Sequence, residues 1–484
     1  MATEIGMNIL ENNGNAIDAA IAVSYAIGVV EPYSSGIGGG GVMLVSPPNE
    51  APIMINYREI SSFDEERLSS DVGIPGFVKG LEHIHQKMGT ISMEELLRPS
   101  IELATYGFPI GEILAKQLKN ATHLNREQLK HFFSNNLPLR EGDHLIQLEL
   151  AETLKDISSG GAETFYCGKL AEQLSEASGL LLNDLKKYRV EEKGALTGEF
   201  CGYEIHSAPL PAGGCTLIQI LQMVEMALEH EVKLTSETDL VDLLCKIVNI
   251  CNYEGMSLLG DPNHVHLDEN YLVSSSYCKQ LLERTLDKSF NNNVSNKNAD
   301  YNNTTHIVIM DKNNMMVSVT NSISGVFGSG TYVKGFFLNN QLRNFSSDQK
   351  SPNAKVPGKR PFSLVAPSIL KKNKTLLGIG SAGGQRIPII LSYILINYIN
   401  NKLSIEESIK LPRFYVNSNK ITLEIGNEDI KGDLENRGYI VELLEDSFFF
   451  GGVNSLIYDD NLGQLIGAAD SRRNGHCMIS SLSN

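Results

Sequence analysis

The 484-residue sequence contains no tryptophan, no CxxC pair and no HExxH motif. Its seven cysteines are odd in number and widely spaced, which argues against a disulfide framework and gives no zinc-binding pattern. We therefore predict free thiols, mostly buried, and no bound metal or cofactor. Free thiols of this kind favour a reducing compartment.

Basic residues are also scarce, because 41 Lys and Arg stand against 57 Asp and Glu, a formal net charge of −16. This balance argues against nucleic acid or an anionic membrane surface as a partner. No Lys or Arg precedes Arg58, so the basic region of a secretory signal is missing. The apolar run of residues 16–30 is interrupted by Asp18 and is too short to span a bilayer. We expect no membrane span, and a cytoplasmic chain as written, or an extracellular or cell-surface protein if its N-terminus is truncated.

A glycine-rich stretch at residues 36–41 invites comparison with phosphate-binding loops. In those loops a strand precedes the glycines and a helix follows them. Here a helical apolar pattern precedes them and a strand follows. Close approach of backbones in a crowded core is therefore the better explanation of these glycines.

The chemistry of the chain is centred on residues 300–324. Residues 291–303 include seven asparagines among thirteen positions and are predicted to form a linker. Residues 307–310 and 316–320 then have the pattern of a β-hairpin with a turn at residues 311–314. Thr304 thus stands where a linker enters a hairpin. A threonine with a freed α-amine can serve as nucleophile and base, although threonine also simply opens many strands.

Strands around Thr304 with helices on either side in the sequence favour the α+β class, as a four-layer αββα sandwich. A series of short motifs adds to this pattern. They lie at residues 14–20, 31–41, 57–59, 73–76, 165–166, 184–190, 260–262, 304–306, 339–341, 359–361 and 380–384. With these motifs in this order, the chain resembles the γ-glutamyltransferase family of N-terminal-nucleophile hydrolases.

The resemblance implies self-cleavage between Asn303 and Thr304 into a large piece, 1–303, and a small piece, 304–484, that remain together as a heterodimer. It implies that Thr304 attacks a γ-glutamyl donor and passes the acyl group to an amine or to water. Ser322 would orient the nucleophile, and the backbone N–H groups of Gly383 and Gly384 would form the oxyanion hole.

The same resemblance assigns residues to the substrate. Arg58 would bind a carboxylate in a bidentate manner. Further side chains that match the family's substrate-binding positions are Gln341, Ser363 and Arg472.

Three positions depart from the pattern of glutathione-type members. Asn344 stands where they have an acidic residue that holds the substrate's α-amine, Ser363-Leu364 where they have a Ser-Ser pair, and Ser324 where many have an Asn after the hairpin. An amide cannot neutralise an ammonium, whereas the internal nitrogens of poly-γ-glutamate are amides and need no such partner. The C-terminal motifs also resemble the capsule-processing CapD branch, and Arg386 and Arg473 would add positive charge for a polyanion. Poly-γ-glutamate is therefore the expected donor. The alternatives are a glutathione-type enzyme and an unprocessed homologue that only binds a partner.

Overall fold

The structure is a computed structural model that describes residues 1–229, 234–287 and 302–480. Most of the predicted asparagine-rich linker, up to residue 301, lies outside the described residues, so that prediction stays untested. Within the described ranges every helix is too short or too polar to cross a membrane. The same ranges contain no cluster of three or more His, Cys, Asp or Glu that could hold a metal ion.

The helices fall into two groups along the chain. The first group covers residues 2–30 and 77–187, and the second covers residues 214–286 and the chain after residue 386. Their bounds are α1 Ala2–Glu11, α2 Ala16–Val30, α3 Phe77–Met88, α4 Met93–Tyr106, α5 Glu112–Asn120, α6 Leu148–Gly160, α7 Glu163–Tyr166, α8 Lys169–Ser178, α9 Leu182–Lys187, α10 Gly214–Glu229, α11 Glu237–Leu258, α12 Glu269–Leu272, α13 Ser275–Leu286, α14 Ile387–Ile399, α15 Ile405–Lys410 and α16 Lys431–Asn436.

The strands are β1 Gly40–Ser46, β2 Ile53–Asn56, β3 Phe108–Pro109, β4 Phe133–Ser134, β5 Leu137–Pro138, β6 His144–Leu145, β7 Glu191–Gly194, β8 Leu196–Phe200, β9 Tyr203–Ser207, β10 Asn302–Met310, β11 Met316–Gly325, β12 Tyr332–Val333, β13 Phe336–Phe337, β14 Ser368–Lys372, β15 Thr375–Ala382, β16 Phe414–Asn417, β17 Lys420–Glu424, β18 Ile440–Leu444, β19 Gly452–Asp459 and β20 Gln464–Ala469. Two sheets dominate, with strand orders β10-β11-β1-β2-β7 and β20-β19-β15-β14-β9-β8.

These two sheets pack face to face, since β10 and β11 contact β15 of the other sheet. Helices α2 and α3 cover the outer face of the first sheet, and α10 and α14 cover the second. Alternation along β1 shows the layering: Val42 and Leu44 join the core that includes the second sheet, while Met43 and Val45 join the core under α2. The predicted α+β, four-layer αββα architecture is confirmed.

Local sequence explains the first buried helix. Asn15 caps α2 by accepting hydrogen bonds from the N–H groups of Ile17 and Asp18, which fixes its start at the predicted residue. Nearly every face of this helix is apolar and buried. The glycines that follow it are packed against backbone, because a Cβ on Gly39 or Gly40 would lie 2.3 Å from the carbonyl oxygen of Ser322 or 2.5 Å from that of Tyr57.

Residues 199–207 have the composition of one strand, but Cys201 and Gly202 take positive φ values of 51° and 76° and turn the chain between β8 and β9. The seven cysteines are free thiols, as predicted; Cys215, Cys245, Cys251 and Cys278 are buried, whereas Cys477 is exposed.

The predicted pieces, 1–303 and 304–484, are interleaved in space. The first sheet joins β1, β2 and β7 to β10 and β11, and the second joins β8 and β9 to β14, β15, β19 and β20. A cut near residue 303 would therefore leave both pieces in both sheets. This interleaving explains how the two pieces could stay together after a cut.

Candidate active site

A narrow pocket opens beside Thr304 near the start of β10, between the two sheets. It brings together six predicted site residues, namely Thr304, Ser322, Arg58, Gln341, Asn344 and Ser363, with the backbone of Gly384. The remaining wall residues are Gly40, Gly41, Glu59, Thr320, Ser324 and Val365. These residues come from seven separate stretches of the chain, 40–41, 58–59, 304, 320–324, 341–344, 363–365 and 384.

A chain of hydrogen bonds links the threonine to the preceding peptide bond. The Thr304 hydroxyl donates to Ser322 Oγ at 3.3 Å, and Ser322 Oγ donates to the carbonyl oxygen of Asn303 at 2.7 Å. The N–H of Ser324 in turn donates to Ser322 Oγ at 2.9 Å. The hydroxyl of Ser322 thus polarises the carbonyl of the peptide bond that precedes Thr304.

A β-bulge produces this arrangement. Asn303 pairs with Ser324 while Thr304 pairs with Ser322, so Ile323 is an extra residue on β11. Ser324 takes a positive φ of 74° at the same point. Bulges re-aim side chains and end regular pairing, and here the bulge sets Ser322 against the Asn303 carbonyl.

Gly383 and Gly384 connect the end of β15 to α14 through a short 3-10 turn. Their φ values of 138° and 57° lie where residues with a Cβ are strained. The helix that follows presents its positive dipole end on this side. Backbone N–H groups in such a turn suit a developing oxyanion.

Arg58 and Glu59 form the floor of the pocket and are almost fully buried. Arg58 donates to the carbonyl oxygens of Pro211 at 2.9 Å and Pro361 at 2.7 Å, and burial lowers its pKa to about 10. Burial raises the pKa of Glu59 to about 7, and its Oε1 has no hydrogen-bond partner among the described residues. The floor therefore holds one cation and one carboxyl group that titrates near neutral pH.

The opposite wall is polar and uncharged. Gln341 and Asn344 are the ends of a short 3-10 turn, which the side chain of Asn339 holds by accepting the N–H of Gln341 at 3.1 Å. The carbonyl of Asn344 accepts from the side chain of Asn353 at 2.7 Å. Ser363 is anchored through its N–H to the carbonyl of Pro211 at 3.0 Å. Among these residues no carboxylate faces an incoming ammonium.

A second cavity, of about 380 Å³, lies on the other side of Thr304 and includes Arg473. Arg473 donates to Asn303 Oδ1 at 3.1 Å and to the Phe448 carbonyl at 3.1 Å, and its guanidinium lies 3.9 Å from the centre of the Phe448 ring. Burial lowers the pKa of Arg473 to about 10. The predicted substrate ligand Arg473 thus binds the side chain of Asn303, the residue before Thr304.

The other two predicted arginines do not line either cavity. Arg472 holds Glu424 with two hydrogen bonds of 2.7 Å and also donates to the carbonyl oxygens of Ile409 and Leu411. Arg386 is buried, 4.2 Å from the centre of the Phe449 ring. Their positions correspond to structural contacts and do not support a direct role at the substrate.

Sequence reasoning assigned no role to four residues that contact the site, namely Glu31, Ser34, Glu59 and Thr305. Glu31 and Glu59 occur inside matched motifs, but nothing in a motif reveals which carboxylates are buried. A usable signal was available for Glu31, since it is the single carboxylate that ends an otherwise nearly uncharged helix.

The αββα sandwich with a threonine near the start of an edge strand, β10, has the N-terminal-nucleophile hydrolase type of fold. The profile of the family described as Gamma-glutamyltranspeptidase matches residues 2–480. The chain belongs to this family, whose members are γ-glutamyl-transferring and -hydrolysing enzymes.

Individual relatives agree with this assignment. The capsule biosynthesis protein CapD proenzyme of Bacillus anthracis is 39% identical over 98% of this chain and 88% of its own length. A glutathione hydrolase proenzyme of Bacillus subtilis is 32% identical over 98% of this chain and 89% of its own. Among solved structures, the cephalosporin acylase of Bacillus halodurans superimposes with a TM-score of 0.87 at 25% identity, covering 98% of this chain and 93% of that one.

Proposed function

We propose that this protein cuts its own chain between Asn303 and Thr304 and then uses Thr304 as the N-terminal nucleophile of a γ-glutamyl transferase or hydrolase. The observation that carries the proposal is the hydrogen-bond chain from Thr304 through Ser322 to the Asn303 carbonyl. A hydroxyl that is linked through one serine to the carbonyl of its own preceding peptide bond, with that carbonyl polarised, suits self-cleavage.

In the first reaction the Thr304 oxygen attacks the carbonyl carbon of Asn303. The new C–O bond replaces the C–N bond, and the hydroxyl proton passes to the departing Thr304 nitrogen. Water then hydrolyses the resulting ester and leaves a carboxylate on Asn303 and a free amine on Thr304. That amine is the base for the second reaction. Residues 1–303 and 304–484 would remain associated as a heterodimer.

In the second reaction Thr304 attacks the γ-carbonyl of the donor and expels the leaving amine. The N–H groups of Gly383 and Gly384 would stabilise the oxyanion. Arg58 would bind a donor carboxylate from the pocket floor, with Gln341 and Ser363 on the opposite wall. An acceptor amine or water then releases the glutamyl group and restores Thr304.

Poly-γ-glutamate is the donor that the site favours. Asn344 offers no charge to a free ammonium, and internal residues of the polymer have none. The guanidinium of Arg473, which contacts Asn303 in the continuous chain, would become available to a carboxylate once the chain is cut. The similarity to the CapD proenzyme, which is described as a capsule biosynthesis protein, supports a role on capsule material. A glutathione-like peptide is the second candidate, supported by the similarity to glutathione hydrolases.

The test is to follow the purified protein and a Thr304→Ala variant by intact mass and N-terminal sequencing. Two fragments with Thr304 at the new N-terminus, absent in the variant, are expected. Release of glutamate from poly-γ-glutamate and from glutathione then ranks the donors. A folded wild-type chain that stays whole would refute the proposal and favour a non-catalytic binding role.

A further inference from the structure

Glu31 lies at the C-terminal end of α2 and contacts the nucleophilic strand. Its Oε2 accepts hydrogen bonds from Thr305 Oγ1 and from Ser34 Oγ, each at 3.2 Å. Ser34 Oγ and Thr305 Oγ1 are themselves 2.8 Å apart. The three side chains thus form a triangle of contacts, one corner of which is Thr305, the residue after Thr304.

A carboxylate at this place is energetically unfavourable by itself. The C-terminal end of a helix carries partial negative charge, which repels a carboxylate. Burial also raises the pKa of Glu31, and the two hydroxyl donors and the charge of Arg473 oppose that rise. A glutamine has nearly the same shape and avoids these costs, so a carboxyl group at this place requires an explanation beyond packing.

The strand that Glu31 contacts, β10, packs against β15, β19 and α2, but another strand of its own sheet pairs with it on one side only. Strand β10 is the outer strand of its sheet and pairs with β11 alone among the described strands. The register shift at residues 303–304 further weakens pairing where Thr304 begins. Successive side chains on a strand point to opposite faces. Hydrogen bonds to the side chain of Thr305 can therefore fix the backbone at Thr304 without obstructing the Thr304 hydroxyl.

We propose that Glu31, Ser34 and Thr305 form a positioning network that holds Thr304 in register with its target carbonyl. The inference rests on the proposed function and assigns residues to it. Glu31, Ser34 and Thr305 line the second cavity, which includes Arg473, and not the pocket that contains Arg58 and Ser322. Their mutual hydrogen bonds therefore assign them to positioning Thr304 and not to the pocket with Arg58. The contact between Glu31 and Thr305 does not include the bond to be cut and therefore serves self-cleavage and turnover alike.

The test compares Thr305→Val, which keeps the shape and removes the hydroxyl, with Thr305→Ser, which keeps the hydroxyl. Self-cleavage is timed by intact mass after synthesis is stopped, and kcat and KM of the cleaved protein are measured with γ-glutamyl-p-nitroanilide. We expect Thr305→Val to slow self-cleavage about tenfold or more and to lower kcat with KM within about twofold of wild type. Thr305→Ser should stay within about threefold of wild type on each rate.

Ser34→Ala serves as a second variant and should change the same two rates in the same direction by a smaller factor. Thermal unfolding of each variant, in the uncleaved Thr304→Ala background, separates positioning from folding. Equal cleavage rates for wild type and Thr305→Val would overturn the positioning role while leaving the proposed function intact. Loss of rate in Thr305→Ser as large as in Thr305→Val, with a lowered Tm, would also overturn it. A wild-type chain that never cleaves would overturn both proposals.

Discussion

Replacing Ser322 with alanine tests the chemistry of self-cleavage most directly. The hydroxyl donates to the Asn303 carbonyl at 2.7 Å, a length typical of a good O–H···O hydrogen bond. Negative charge develops on that oxygen as Thr304 attacks, so the hydrogen bond strengthens in the transition state. The alanine variant removes this donor and leaves the bulge residue Ile323 in place.

The size of the effect follows from comparable oxyanion donors, whose removal costs about 100- to 1,000-fold in rate, or about 3 to 4 kcal/mol. We expect Ser322→Ala to slow self-cleavage by a factor in this range. Ser322→Thr keeps the hydroxyl and should cleave within about tenfold of wild type. Ser318→Ala is the matched control, because Ser318 is a buried serine of the same strand whose hydroxyl donates to the Ile379 carbonyl instead.

The assay is a time course of intact mass after synthesis of the chain has been stopped, with thermal unfolding of each variant measured in parallel. Ser322→Ala should retain a Tm close to that of Ser318→Ala while cleaving far more slowly. If Ser322→Ala cleaved itself as fast as Ser318→Ala, the hydrogen bond from Ser322 to the Asn303 carbonyl would have no specific effect on the rate of self-cleavage. Any loss of rate would then be that of removing a serine hydroxyl from β11, and the proposed role of Ser322 would be refuted.

Two further predictions concern the pocket floor and wall. The folded protein binds a proton on Glu59 up to a pH of about 7, whereas the unfolded chain releases it near 4.5, so this group destabilises the fold as pH rises through that window. We therefore expect Glu59→Gln, made in the uncleaved Thr304→Ala background, to become more stable relative to its parent as the pH rises from 5 to 8. The gain in the free energy of unfolding, measured with urea, should be at most about 3 kcal/mol. A difference between the two proteins that does not change with pH would contradict the raised pKa of Glu59. Asn344→Asp should lower KM for a donor with a free α-amine about tenfold, because a hydrogen bond to a charged group contributes about 1.5 to 3 kcal/mol. The same variant should leave KM for α-amidated donors nearly unchanged. Equal effects on both donors would argue against residue 344 facing the amine.

The sequence predicted those features that depend on residues close together in the chain, such as the start of a helix or a hairpin. The start of α2 follows from the cap at Asn15 and an apolar run. The hairpin around Thr304 follows from an apolar strand pattern on either side of a polar turn. The order helix, glycines, strand predicted close backbone packing at Gly39 and Gly40, and this prediction is confirmed. Matching motifs pointed to the residues that meet in the pocket, although no motif could show their distances.

Long-range contacts decided the rest. The three predicted arginines Arg386, Arg472 and Arg473 look alike in sequence, yet their partners are an aromatic ring, Glu424, and the side chain of Asn303. A guanidinium binds whatever acceptor the fold brings within reach, and these acceptors lie far away in the chain. The same holds for Glu31 and Glu59, whose burial and pKa depend on elements hundreds of residues apart. The sequence by itself determined the αββα fold and the place of Thr304, because both depend on local patterns and on ordered motifs. Only the tertiary structure decided which charged groups surround that threonine, because burial and electrostatic partners are properties of the packed chain.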